Sequence, residues 1–353
     1  MKIALLNDTH CGVRNSSEIF IKYQERFYSE VFFPYCKKNN INRIIHLGDY
    51  YDHRKNVNFK ALNANRKMFL EPMKELGMTM DIIPGNHDVF HKNTNDICSL
   101  KELLGYYTSN INIIMKPTSM EVDGLTLNFL PWINSENYKD SMEFIKEHDG
   151  IILSHLELQG FEMMRGIKQT HGMSPDHFKH YDQVISGHYH ASSHEGNIRY
   201  LGCQMEFTWA DCGDKKYFHI LDTKKGDIER VHNPIIIFEK IHYNDEVVDY
   251  SKYKDLSNFE NKFIKVIVDK KTNPFMFDKF IDRLSYINTH ELKIAENFSE
   301  FLGENVITSI EDVENTTELM SNYIDGATTN LDKGKLKTLM NSLYNEALDM
   351  EIQ

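Results

Sequence analysis

Five short polar motifs in this chain each follow directly on an apolar, β-branched run, and the pairing recurs at intervals long enough to hold a helix. The runs are Lys2 to Asn7, Arg43 to Leu47, Met80 to Pro84, Gly150 to Ser154 and Gln183 to Ser186. Stretches this short, rich in Ile and Leu and ending in turn-forming residues, read as buried strands. Between several of them lie segments with helical spacing, notably Ile19 to Lys38 and Phe59 to Leu76. The alternation predicts βαβ units and a mostly parallel sheet. In open α/β sheets ligands bind beyond the carboxyl ends of the strands, where all five motifs fall, so distant segments can meet in one cleft.

The motifs are Asp8-Thr9-His10, Gly48-Asp49-Tyr50-Tyr51-Asp52, Gly85-Asn86-His87-Asp88, Ser154-His155 and Gly187-His188-Tyr189-His190. An isolated Asp-x-His is common, and a single strand-end histidine is usually packed or hydrogen-bonded. Gly-Asp-x-x-Asp can be a turn whose aspartate caps a helix. Gly-Asn-His-Asp is sharper, because a turn needs no histidine between amide and acid. Gly-His-x-His places both imidazoles on one side of an extended segment. Together, Asp8, His10, Asp49, Asn86, His155, His188 and His190 form a ligand set too rich in nitrogen for a dedicated Mg²⁺ or Ca²⁺ cage; manganese, iron or zinc fits better. Two dications against two carboxylates leave a surplus of about two positive charges, suited to holding a phosphate oxygen and activating a water. A neighbouring imidazole can protonate the departing alkoxide, and His87 is the candidate. The residues thus predict a metal-dependent hydrolase of anionic phosphoesters.

In these motifs and their order the chain resembles the calcineurin-like metallophosphoesterase family. The resemblance implies that Asp8, His10, Asp49 and His190 hold one metal, that Asp49, Asn86, His155 and His188 hold the other, and that His87 is the acid, oriented by Asp88. It also implies a two-sheet sandwich flanked by helices over residues 1–235, into which the strand-like pieces Leu125 to Trp132, Ile198 to Cys203 and Tyr217 to Asp222 fit. Within the superfamily, Asp8-Thr9-His10-Cys11-Gly12, Asp49 to Lys55, Leu130-Pro131-Trp132, His155 to Phe161 and Leu319 to Leu348 are similar to stretches of SbcD-type recombination nucleases, especially the small recombination-endonuclease subunits of T-even-type phages. His53 stands where such nucleases place residues that influence substrate choice, and is a further candidate in the catalytic group; a solvated loop role suits it equally. His171 and His194 match no ligand position.

The 353 residues can bury a substantial core and allow one large domain with smaller additions. Five scattered cysteines form neither a disulfide framework nor a paired zinc spacing, which points to a reducing cytoplasm, the host's if the chain is phage-encoded. No segment is apolar for long enough to span a bilayer, so a membrane role is not expected. The formal charge of −12 is awkward for a nuclease, whose DNA affinity comes mainly from Lys and Arg on phosphates. Arg14, Arg54, Lys55, Arg66 and Lys67 could form a basic rim, and a partner could add further contacts.

Beyond the core, Phe263 to Asp269 alternates like a half-buried strand, Asn273 to Leu284 reads as a helix opened by Pro274, and Glu291 to Ala295 as another strand. Residues 236–298 thus form a small α/β unit that resembles the capping, DNA-positioning domain of such nucleases. A polar linker over 299–316 and a helical segment over 317–353 are expected to follow. There Leu336, Leu339, Met340, Leu343, Tyr344 and Ala347 make one apolar face, which can pack on its own core or, as the resemblance implies, grip an SbcC-type coiled-coil ABC ATPase. The resemblance further implies manganese-dependent exonuclease action on duplex DNA and endonuclease action on single strands, by a homodimer within a heterotetramer that processes DNA ends in recombination, repair and replication. The alternatives are a small-substrate phosphodiesterase or protein phosphatase, which the extra residues beyond the core disfavour, and a noncatalytic scaffold, which the complete ligand set disfavours.

Overall fold

The computed structural model describes residues 1–107, 109–164, 167–253, 255–296, 324 and 332–340. It divides into two compact units, residues 1–238 and 239–353. Among its described residues the first holds fourteen strands: β1 (Lys2–Leu6), β2 (Arg43–His46), β3 (Thr79–Ile82), β4 (Ile111–Ile113), β5 (Thr118–Val122), β6 (Leu125–Leu130), β7 (Ile151–His155), β8 (Glu162–Met164), β9 (Ile167–Lys168), β10 (Gln183–Gly187), β11 (Ser193–Glu195), β12 (Ile198–Tyr200), β13 (Lys216–Asp222) and β14 (Asp227–Asn233).

These strands form two six-stranded sheets, ordered β14-β13-β1-β2-β3-β4 and β11-β12-β10-β7-β6-β5, and a small β8-β9 hairpin. Strands β1 to β4 run parallel, as do β6, β7, β10 and β12, while the outer strands turn back antiparallel. The chain is therefore a two-sheet α/β sandwich, as expected, and it carries a parallel centre in each layer. Ile3, Leu5, Ile45, Leu47 and Ile83 of one sheet meet Leu127, Phe129, Ile151, Leu153 and Ile185 of the other in a dry core. A second cluster, including Ile152, Val184, Tyr200 and Phe178, covers the outer face of the second sheet. Burial on both faces explains why the central strands read as continuous apolar runs rather than alternating ones.

The two expected helices occur, and both change pitch midway. Glu18–Arg26 passes through a wider π-type turn at Phe27–Phe32 into Phe33–Lys38; Phe59–Asn65 does the same at Arg66–Leu70 before Glu71–Glu75. Each π turn ends beside a proline, Pro34 or Pro72. Proline has no N–H and its ring displaces the carbonyl one turn back, which a locally widened turn accommodates.

In the second unit Phe238–Asn244, Phe263–Lys270 and Glu291–Glu296 form a three-stranded sheet. Helix Pro274–Ser285 packs Phe277, Phe280 and Leu284 against Tyr243, Ile264 and Val266. Asn273 caps that helix by accepting from Met276 N–H, and Pro274 occupies its first turn. Residues 333–340 are helical; the expected linker over 299–316 lies outside the described residues.

Phe129 is fully buried between the two sheets. Phe129→Ala should cost about 3–5 kcal/mol, read as a lower urea midpoint for the first unit, because a close-packed sandwich cannot collapse around the void.

Candidate metal centre

The last residue of β7 and the loops that follow β1, β2, β3 and β10 bring the seven candidate ligands together. Asp8, His10 and His190 place ligand atoms within 4.8 Å of one another, as do Asp49, His155 and His188. Asn86 joins the second group, its Oδ1 lying 3.0 Å from His155 Nε2 and 2.8 Å from His188 Nδ1. Asp49 sits between the groups: Oδ2 is 3.4 Å from His155 Nε2 and 3.9 Å from His10 Nε2.

Each orienting contact leaves a lone pair facing inward. His155 Nδ1 lies 2.7 Å from the Leu47 carbonyl and so donates to it, freeing Nε2 as an acceptor. His10 turns Nδ1 to Asp52 Oδ1 at 3.3 Å and Nε2 to His190 Nε2 at 3.0 Å. Asn7 Nδ2 donates to Asp8 Oδ2 at 2.6 Å. Convergent nitrogen and oxygen atoms at such spacing fit divalent cations.

The backbone bends to make this fit. Asp8, His10, Asp49 and His188 all have positive φ, at 45°, 43°, 54° and 91°, a region ordinary side chains avoid and functional sites tolerate. Gly85 is the counterpart: a Cβ there would stand 2.2 Å from Asp49 Oδ1 and 2.8 Å from His155 Cε1. Only glycine lets the third loop lie on the second.

Electrostatics follows from enclosing carboxylates among imidazoles. Burial would depress His10, but Asp52, Asp49 and Asp8 outweigh it and raise its pKa to about 9. Burial likewise opposes protonation of His155, yet Asp49, Asp8 and the Leu47 carbonyl bring it to about 9. His188 and His190 go the other way, to about 3 and about 4, through burial and the neighbouring imidazoles His155 and His10 respectively. Asp49 is held well below the carboxylate range despite burial, chiefly by His155.

His87 lies beside the cluster, its ring 4.9 Å from that of His10. Its orientation differs from the expectation. Asp88 is fully buried and accepts the backbone N–H groups of Gly85, Tyr50 and Tyr51; it knots two loops together and leaves His87's ring to the Asp52 carbonyl, 2.5 Å from Nδ1. Asp52 is thus the residue that sequence reasoning passed over, though it closes the second motif. His53 is 3.5 Å from the outer oxygen of Asp52 and partly exposed, outside the ligand groups. His171 and His194 are exposed and join neither group. Of the proposed basic rim, Arg14 is bound to the Phe207 carbonyl, Arg66 pairs with Glu71, half-buried Arg54 lies in the field of Asp49, and Lys55 and Lys67 are exposed. Two aromatic neighbours were also missed: Phe207, 5.7 Å from the rings of both His10 and His190, and Trp132, 5.4 Å from that of His188.

A sandwich with a His/Asp/Asn cluster at the carboxyl ends of its parallel strands defines a metal-dependent phosphodiester hydrolase. Residues 1–192 match the Calcineurin-like phosphoesterase family, and the chain belongs to it. It is 32% identical over 350 residues, 98% of this chain and 99% of the other, to Exonuclease subunit 1 of Enterobacteria phage T4. A solved structure reported as that of a novel archaeal phosphodiesterase aligns with 66% of this chain and 100% of its own, at TM-score 0.35 and 16% identity. No described helix is long and apolar enough to cross a membrane.

Asp49→Asn should weaken Mn²⁺ binding in both groups by at least the ~10–100-fold typical of lost orienting contacts, measured by calorimetric titration; loss confined to one group would show that the carboxylate is not shared. Loading should also expel protons. With pKa values of about 9, His10 and His155 are protonated at pH 7 in the metal-free chain, whereas a cation requires neutral rings. Affinity therefore rises with pH up to about 9, and titrations in buffers of different ionisation enthalpy should return about two protons released per loaded chain near pH 7.

Proposed function

We propose that this chain is the nuclease subunit of an ATPase–nuclease complex, a two-metal, manganese-dependent enzyme that degrades duplex DNA from its ends and cuts single strands. The observation that carries the chemistry is Asp49 Oδ2 between His155 and His10, with the remaining donors arrayed around it. The observation that carries the substrate is 32% identity over nearly both full lengths to a chain named as an exonuclease subunit.

When bound, two divalent cations would hold a phosphoryl oxygen and lower the pKa of a water to near neutrality. The residues of the chain do the rest. Asp8 and Asp49 supply the negative charge of the site, and Asn86 adds a neutral oxygen that leaves the net charge positive. His87 donates its Nδ1 proton to the Asp52 carbonyl, which fixes the ring and turns Nε2 outward; to serve as the acid the ring must carry a second proton, on Nε2, for the departing alkoxide oxygen. Asp52 therefore places both His10, through its carboxylate, and His87, through its carbonyl.

Residues 239–353 suit the role of DNA-positioning cap and partner-binding tail. Leu339 is 55% exposed on the 333–340 helix, and Leu336 and Met340 are half-buried; Leu343, Tyr344 and Ala347 lie outside the described residues. This apolar face fits the coiled coil of an SbcC-type ATPase, in a heterotetramer built on a homodimer of this chain.

The test is Mn²⁺-dependent degradation of end-labelled duplex by the purified chain, with methyl 4-nitrophenyl phosphate in parallel. His87→Ala should slow DNA cleavage by about 10²–10⁴-fold, the usual worth of a positioned acid. Turnover of the simple diester with no DNA cleavage, alone or with an ATPase partner, would reject the nuclease reading in favour of a small-substrate phosphodiesterase.

A further inference from the structure

With a net charge of −12, the chain is poor in the phosphate-neutralising cations that usually dominate nucleic-acid affinity. The other general source of grip is stacking of bases on aromatic side chains. One aromatic wall stands beside the candidate metal centre. Trp132, just beyond β6, has its ring 5.4 Å from that of His188 and 5.9 Å from that of His155.

The backbone of this tryptophan is unusually well held. Its N–H donates to the Pro84 carbonyl at 3.0 Å. Its carbonyl accepts from Asn95 Nδ2 at 3.1 Å and Asn137 Nδ2 at 3.0 Å. Asn134 closes the frame, donating to Asn95 Oδ1 at 2.8 Å and accepting from Asn137 N–H at 3.2 Å. Asn95 and Asn134 are only 9% and 8% exposed. Buried amides are costly unless fully bonded, yet here a closed set of them fixes the place of a half-exposed indole.

Beside it lies a cavity of about 470 Å³, lined by Trp132, Tyr138, Met173, Ser174 and His155 among others, of the size that small-molecule sites occupy. Gly172 also lines it. Its φ is +107° and a Cβ would lie 2.6 Å from the Glu157 carbonyl oxygen, to which Met173 N–H donates at 2.9 Å.

Resting on the nuclease reading above, we propose that this cavity receives the nucleobase next to the scissile phosphate, stacked on Trp132. His155 lines the cavity and belongs to the second ligand group, so a base seated there brings its own phosphate to the metal donors. Every base offers a π face, so the site is sequence-tolerant. A base within a duplex is already stacked on both sides and cannot turn into a side pocket, so the ligand is an unpaired nucleotide in a single or frayed strand. Trp132 is then a positioning residue that selects unpaired strands.

The experiment pairs the side chain with the base. Single-stranded oligonucleotides carrying either a normal nucleotide or an abasic residue, placed in turn on each side of the cleavage position, are cleaved in Mn²⁺ by the full chain, by Trp132→Ala and by Trp132→Phe. Each rate is normalised to the same variant's hydrolysis of methyl 4-nitrophenyl phosphate, so a general loss of metal binding cancels. The expected result is a normal-over-abasic preference of about 5- to 150-fold in the wild type, the rate equivalent of ~1–3 kcal/mol of stacking. Trp132→Ala should abolish that preference and Trp132→Phe should keep most of it. A preference unchanged in Trp132→Ala, or no preference in the wild type on either side, overturns the proposal. Diester turnover with no oligonucleotide cleaved by the wild type, alone or with an ATPase partner, overturns the nuclease reading and this inference with it, a pattern distinct from the first two.

Discussion

Asp49 is 2% exposed and surrounded by His10, His87 and His155, and the architecture of the site follows from keeping that charge compensated. An uncompensated buried carboxylate would simply take up a proton. Here two imidazoles hold protons up to about pH 9, His155 chiefly on its account and His10 through Asp52 first and Asp49 next, and they do so at the positions where cations would bind. Protons and metals therefore compete for one electrostatic vacancy. The same charge explains the contortions around it: the positive φ of Asp49 turns its carboxylate inward, His87 N–H donates to its Oδ1 at 2.7 Å, and the third loop gives up a side chain at Gly85 to approach it.

The carboxylate cannot be served by one sheet. Asp8, Asp49 and Asn86 follow strands of the first sheet, whereas His155, His188 and His190 follow strands of the second. The spacing of the donors within each ligand group is consequently set by how Leu5, Ile45 and Ile83 pack against Phe129, Leu153 and Ile185 between the layers. Cores of this kind are dense and resist small deformations. A ligand set spread over two sheets thus borrows its rigidity from apolar packing, and damage to the core reaches the chemistry through the spacing of the donors.

How much of this is legible in the sequence depends on the range of the interaction. The candidate ligands could be named because each sits at the end of a local pattern, a short apolar run followed by polar residues, and the parallel register of the strands then aligns those ends. The second parallel layer was not visible in the alternation of strands and helices, which is the same for one sheet or two; the family resemblance supplied it. Asp88 was misjudged because adjacency in sequence suggested contact with His87, whereas three backbone N–H groups from two loops claim its carboxylate. Asp52 was overlooked for the converse reason: its partners, His10 and His87, lie 42 and 35 residues away along the chain. Trp132 carries no signal beyond a Leu-Pro-Trp tripeptide, because its frame is assembled from Asn95, Asn134 and Asn137 only in three dimensions.

The negative charge that seemed to argue against a nucleic-acid substrate takes on a different meaning beside this geometry. Arg14 is committed to the Phe207 carbonyl and Arg66 to Glu71, so the first unit offers no broad basic track among those residues. Affinity built on counterion release would favour any duplex, anywhere along its length. The nuclease proposed above would instead depend on what the centre itself attracts: the charge of its cations for one phosphate and, beside His155 and His188, the Trp132 ring for one base. On that proposal, local recognition favours ends and unpaired segments over continuous duplex. A net negative charge is thus compatible with the nuclease proposed above, because the local features of its centre can do what a basic surface does elsewhere.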